Sequence, residues 1–96
     1  MDSYILTLDQ GTTSSRSLLV DQKSSIVSKS QKEFKQIFPN PSWVEHDPIE
    51  IWETQLETIK DVVRKSKINP NEIYGIGITN QRETVIAFDA DTGKPI

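Results

Sequence analysis

The sequence predicts an α/β fold with a mixed sheet, on three observations. Short runs rich in apolar strand formers stand on both sides of one long stretch with helical periodicity. The first runs are separated by small polar turns, which demand antiparallel hairpins. The strand after the helix follows a crossover of the length that lets it lie parallel to the first.

In chain order, "YILTLD" (residues 4–9) reads as a buried strand and "SRSLLVD" (15–21) as its hairpin partner. "DQKSS" (21–25) is a turn. Residues 26–34 read as a third, edge strand guarded by Lys29, Lys32 and Lys35. "FPNPSWVEHDP" is a proline-rich loop. The helix spans 47–65, with Asp47 as N-cap, Pro48 at the first helical position and Glu50 three residues after the cap. Ile49, Trp52, Leu56, Ile59 and Val63 form one apolar stripe, expected to face the sheet. Early Glu50 and Glu53 and late Arg64 and Lys65 complement the helix dipole, and Asn69-Pro70 stops the helix. "IYGIGIT" (73–79) is a buried strand whose Gly75 and Gly77 suggest close packing on its backbone. "TVIAFD" (84–89) is expected to be a fifth strand, followed by the turn "DADTGKP". The order is β-β-β-α-β-β. Inner strands apolar on both faces normally carry helices on both sides. With one helix, a face lacks cover, so the chain is expected to be part of a larger domain rather than to rely on a partner; Ile96 stands in mid-pattern.

Totals narrow the function. The chain has 96 residues, 34% of them hydrophobic, so one domain at most and a thin core. Net charge is −3 with no basic block, which disfavours nucleic acid as a partner. There is no cysteine, hence no disulfide framework and no thiolate metal site. Asn40 is followed by proline, so it is no glycosylation acceptor. No membrane-length apolar run or signal pattern is seen, and a cytoplasmic location without membrane attachment is the expectation.

"LDQGTTSSR" (8–16) is the stretch with chemistry. Asp9, at the end of a buried strand, is placed to hold Mg²⁺ directly or through water. Gly11 lets a ligand approach the backbone. Thr12, Thr13, Ser14 and Ser15 offer hydroxyls and N–H groups, and turn N–H groups form anion nests. Arg16 brings a fixed bidentate charge for phosphate. Any one Ser or Thr is most simply satisfying its own turn. The set, behind a buried strand, points to a magnesium-nucleotide site. It is neither a Walker loop nor a dinucleotide fingerprint.

"TNQRE" (79–83) ends the fourth strand. If strands one and four are parallel neighbours, Asp9 and the Arg82-Glu83 pair emerge at one sheet edge, where open sheets bind ligands. Arg82 and Glu83 there suit vicinal hydroxyls of a small polyol or sugar; a surface ion pair is an equal reading from composition. His46, the one histidine, reads as a surface or capping residue. Trp43 and Trp52 read as core or helix-docking residues, and the helix charges as a solvated face.

"LDQGTTSSR", "WVEHDP", "EIW" and "GITNQRET", in this order and at this spacing, resemble the N-terminal region of the FGGY carbohydrate kinases, from about Tyr4 to the end of the chain. "DQGTTSSR" with "TNQRE" is most similar to the members that act on glycerol. The resemblance implies an actin-like, ribonuclease-H-type ATPase fold, of which residues 1–96 are the N-terminal part of the first of two domains. It implies ATP- and Mg²⁺-dependent phosphorylation of glycerol to sn-glycerol 3-phosphate, by a homo-oligomer. Asp9 would serve Mg²⁺ through water. Thr12, Thr13 and Ser14 would contact nucleotide phosphates, with Gly11 between them and the strand, and Arg16 the ADP or the transferred phosphoryl group. Arg82 and Glu83 would bind glycerol hydroxyls. The catalytic aspartate lies downstream in this family, so the 96 residues alone are expected to be inactive. Another FGGY sugar or polyol kinase, or a non-catalytic actin-like nucleotide-binding module, are the alternatives. A ribonuclease-H-like nuclease would need a further acid where Thr79-Asn80-Gln81 stands.

Overall fold

The computed structural model describes residues 3–81, 84 and 86–96. Four strands form one sheet: β1 (Tyr4–Gln10), β2 (Ser14–Val20), β3 (Ile26–Glu33) and β4 (Ile73–Thr79), in the order β3-β2-β1-β4. The first three make an antiparallel meander, and β4 pairs parallel with β1 after the crossover through α1 (Pro48–Ser66). The mixed sheet and each of the first four strands match the sequence expectation to within a residue or so.

Local chemistry sets the turns and caps. Asp21 Oδ1 accepts from the N–H of Lys23 and of Ser25, both at 2.9 Å, which closes the β2–β3 turn. Asp47 caps α1 by accepting from Ile49 N at 3.0 Å, and Pro48 opens the first turn. Glu50 turns away from the cap and accepts from Lys35 N, which ties the long loop to the helix. Lys67, at φ 59°, ends the helix in the left-handed conformation. A reciprocal Asn69–Glu72 capping box then starts the short 3₁₀ turn Pro70–Glu72 that leads into β4.

The helix meets the sheet with a different face from the one its apolar stripe suggested. Gln55, Thr58 and Val62 are buried, whereas Ile49 and Trp52 are 48% and 59% exposed. The row that faces the sheet runs one residue earlier than the predicted stripe, a rotation of about 100°. The reason lies in β2. Its Ser15 and Ser17 are fully buried beneath the helix, and hydroxyls there call for polar partners. Ser17 Oγ lies 2.7 Å from Thr58 Oγ1, and Ser15 Oγ lies 2.9 Å from Thr54 Oγ1. Leu6, Leu19 and Val62 form the apolar core beside this polar seam, with Ile59, Val63 and Ile73 packed against it.

The missing cover is larger than the sequence suggested. α1 packs over β2 and β3 and reaches only the margin of β1. Register puts Ile76 and Ile78 beside Leu6 and Leu8 on the helix side of the sheet. They are nevertheless 61% and 71% exposed. On the opposite face, a Cβ at Gly75 would find Ile5 Cδ1 at 3.5 Å, and one at Gly77 nothing within 4 Å. The close packing expected on these glycines is therefore absent among the described residues.

The expected fifth strand does not form among the described residues of 84–89. Phe88 makes a single bridge with Pro95, and Ile96 N donates to Ala87 O at 2.9 Å. A strand needs a neighbour to satisfy its backbone. This segment folds back on residues 95–96, across a turn held by Asp89 and by Gly93 at φ 74°, and does not pair with β4. No helix among the described residues is long and apolar enough to cross a membrane.

Candidate functional site

Parallel pairing of β1 with β4 brings their carboxyl ends to one edge of the sheet. Asp9 stands opposite Thr79 on one side and Arg16 on the other. Thr79 Oγ1 donates to Asp9 Oδ1 at 2.9 Å, and Arg16 Nη2 forms an ion pair with Asp9 Oδ2. The Arg16 guanidinium, then the Thr79 hydroxyl, hold the Asp9 carboxyl below the ordinary carboxylate range, with partial burial opposing them. Both side chains are partly exposed, so this pair contributes about 0–1 kcal/mol. A ligand that supplies its own cation to Asp9 and its own anion to Arg16 replaces it at little cost.

The turn between β1 and β2 sits directly above. Gly11 N donates to Ser14 O at 3.0 Å. A Cβ on Gly11 would stand 3.3 Å from that same carbonyl, so the closeness of the turn, rather than its dihedral angles, favours glycine. The Thr13 carbonyl accepts from Phe34 N at 3.1 Å and the Thr12 carbonyl from Gln36 Nε2 at 3.3 Å. With these carbonyls engaged, exposed Thr12 and Thr13 line an open cleft of about 540 Å³ together with Gln36, His46, Gln81 and Thr84. Ser14 Oγ accepts from Gln31 Nε2 at 2.8 Å.

The structure thus brings Asp9, Gly11, Thr12, Thr13, Ser14 and Arg16 to one edge. Ser15 leaves the set, because its hydroxyl is buried against Gln10 and Thr54. Arg82 and Glu83 lie outside the described residues. Gln81, just before them, lines the cleft and accepts from Thr84 Oγ1 at 2.7 Å. His46 does not cap a helix. Its Nε2 donates to Gln36 Oε1 at 2.7 Å, and its ring packs edge-on to Phe34 at 5.0 Å. Trp43 and Trp52, expected to be core or helix-docking residues, are 60% and 59% exposed. The helix charges make solvated pairs as expected, Lys32 with Glu57 and Arg64 and Lys65 with Asp61.

Three polar residues at the site were not singled out by the sequence: Thr79, Gln36 and Gln55. Thr79 alone carried a signal, its place at the end of the fourth strand. For a metal, no cluster of three or more His, Asp, Glu or Cys exists among the described residues. A lone carboxylate beside exposed hydroxyl and N–H donors fits Mg²⁺, which keeps most of its water and takes the rest of its shell from the phosphates of a bound nucleotide.

The profile of the N-terminal domain of the FGGY family of carbohydrate kinases matches residues 4–96. The chain is similar to glycerol kinase 2 of Thermotoga maritima, 58% identical over 93 residues, covering 97% of this chain and 19% of that protein. It is similar to the glycerol kinase of an Enterobacter species, 59% identical over 93 residues, covering 97% of this chain and 18% of that protein. Among solved structures, Plasmodium falciparum glycerol kinase with ADP superposes with a TM-score of 0.85 at 36% identity, covering 99% of this chain and 19% of that one. Gluconate kinase from Lactobacillus acidophilus superposes with a TM-score of 0.88 at 26% identity, covering all of this chain and 19% of that one. The four-stranded mixed sheet with its single helix is thus similar to one part of each of these larger kinases.

Proposed function

The chain belongs to the FGGY family of carbohydrate kinases, and from that premise we propose that the full-length protein carrying these residues transfers the γ-phosphate of ATP to glycerol, giving sn-glycerol 3-phosphate. The observation that carries the reading is the Asp9–Arg16 pair at the sheet edge, set beside the Gly11–Thr13 turn with its exposed Thr12 and Thr13. Glycerol as acceptor is supported by identity: 58% and 59% to two glycerol kinases, against 26% to the gluconate kinase structure.

Each residue has a task in this proposal. Thr12, Thr13 and Ser14 bind nucleotide phosphate oxygens, and Gly11 keeps the turn tight enough to present them. Arg16 leaves Asp9 and meets the phosphoryl group, whose charge it stabilises. Asp9 is the residue that would hold Mg²⁺, through water; the ion would neutralise phosphate charge. Arg82 and Glu83, adjoining Gln81 in the chain, take the glycerol hydroxyls. The base that accepts the hydroxyl proton is the family's downstream aspartate, so the residues described here bind and orient. A cytoplasmic homo-oligomer is part of the same proposal.

The test follows ADP release by the full-length protein with Mg-ATP and glycerol, xylulose, ribulose or gluconate. Turnover that depends on glycerol and collapses in Arg82→Ala is expected. Equal or better turnover with a sugar or gluconate would reassign the acceptor. No acceptor-dependent turnover would leave a nucleotide-binding module.

A further inference from the structure

We propose that Gln55 is a positioning residue that acts through Arg16, a role that rests on the phosphate-binding assignment above. Gln55 sits on α1 with 6% of its surface exposed. Its amide nitrogen donates to the Arg16 carbonyl at 3.0 Å and lies 3.0 Å from Ser17 Oγ and 3.1 Å from Thr58 Oγ1. Its amide oxygen is buried with no hydrogen-bond partner among the described residues. A buried acceptor without a donor is a cost that an apolar side chain of the same volume avoids. Packing alone therefore does not account for glutamine here. What the amide supplies, and an apolar side chain cannot, is a donor to the backbone of Arg16.

The surroundings give that bond its meaning. Side chains alternate along β2. Ser15 and Ser17 point to α1, where Thr54 and Thr58 fix them. Arg16, between them, points to the other face and meets Asp9. Three polar ties from one helix thus hold three consecutive residues, and the middle tie falls on the backbone of the arginine that binds phosphate. A long, partly exposed guanidinium is directed by its backbone anchor, and misplacement of a charge-stabilising group by about 1 Å costs on the order of 100-fold in rate. Only a donor can serve a carbonyl, so glutamate in place of Gln55 sets a buried carboxylate against it.

The experiment is a double-mutant cycle in the full-length protein with Gln55→Met, Arg16→Ala and the pair. Gln55→Met is expected to lower kcat roughly 10- to 100-fold with KM for glycerol unchanged. In the Arg16→Ala background the same substitution is expected to change kcat by no more than about twofold, because the group it positions is gone. Equal losses in both backgrounds would overturn the proposal, as would a drop in thermal midpoint with kcat intact. Should Gln55→Met not fold, Gln55→Asn carries the same cycle, since it keeps a buried amide but withdraws it by one methylene. Thr54→Val, which removes the partner of Ser15 and touches neither Gln55 nor the Arg16 carbonyl, is expected to lower the thermal midpoint and spare kcat; an equal kcat loss there would also overturn it. The cycle read on ADP affinity by calorimetry tests the positioning without any acceptor. A wild type that binds ADP but ignores glycerol would then refute the acceptor assignment alone.

Discussion

The hydroxyl of Thr79 donates to Asp9 Oδ1 across 2.9 Å, although the two residues stand 70 apart in sequence. Thr79 exists as a partner only because β4 lies parallel to β1. It holds one oxygen of the carboxylate while Arg16 holds the other.

Removing this donor should change how Asp9 titrates. Thr79 lowers the Asp9 pKa, second to Arg16, so Thr79→Val raises it towards the ordinary carboxylate value. Asp9 is then protonated at higher pH, and, on the proposed kinase reading, the acid limb of the pH–rate profile of the full-length protein shifts upward. An unchanged limb would show that Asp9 ionisation does not govern the rate.

Gly11→Ala tests the tight turn. The new Cβ stands 3.3 Å from Ser14 O, so the carbonyl must yield and the Gly11 N–H to Ser14 O bond lengthens. The expected cost is about 1 kcal/mol of stability, together with weaker nucleotide binding. Denaturant midpoints and ADP titration check the two effects separately.

Gln36 links His46 to the β1–β2 turn proposed to bind phosphate, accepting from the ring and donating to the carbonyls of Thr12 and Phe34. Gln36→Leu keeps the bulk and removes both roles. KM for ATP should rise about 3- to 10-fold, the worth of roughly one hydrogen bond, while KM for glycerol stays put. Steady-state kinetics with each substrate varied in turn decides it.

Asp61 predicts an acid-dependent contribution to stability. Ser30, then Lys65 and Arg64, lower its pKa from 3.8 to about 2. A carboxylate with a depressed folded pKa stabilises above its unfolded pKa and loses that contribution as pH falls through the folded one. Asp61→Asn should therefore flatten the fall in stability between pH 3.8 and about 2. Urea midpoints measured across that window would show the wild-type slope unchanged if Asp61 has no part in it.

Most of the frame was legible because it rests on local patterns. Asp47 with Pro48 marks the helix start, and the apolar runs ending at Asp9 and Thr79 announce two strands that finish at one edge. The rotation of α1 was not legible, because periodicity assumes that apolar residues face the sheet. Here Thr54, Gln55 and Thr58 do so, answering Ser15 and Ser17 on β2. In sequence Ser15 is one of four consecutive hydroxyl residues that look alike, and only strand alternation sends it inward. Among the described residues, the segment from Thr84 carries strand formers but pairs only through the single Phe88–Pro95 bridge, and propensity without a paired strand does not make one. Gln36 reaches the site through a tertiary contact that no spacing reveals, whereas Thr79 is signalled by its place at the end of the fourth strand.

The placement of α1 over β2 and β3 alone carries a kinetic consequence. The meander β1-β2-β3 is joined by short turns, and the helix that follows docks on its last two strands, β2 and β3. β4 must instead close a loop that spans the whole crossover before it gains one hydrogen bond with β1, and that entropy falls due before any contact rewards it. Loop-closure entropy therefore sets β4 as the last strand to join. The carboxylate at the end of β1 acquires its arginine early and its threonine late. Pulse-labelled hydrogen exchange during refolding should find Gly75 to Ile78 protected after Leu18 and Leu19; simultaneous protection would mean that the sheet closes in one step.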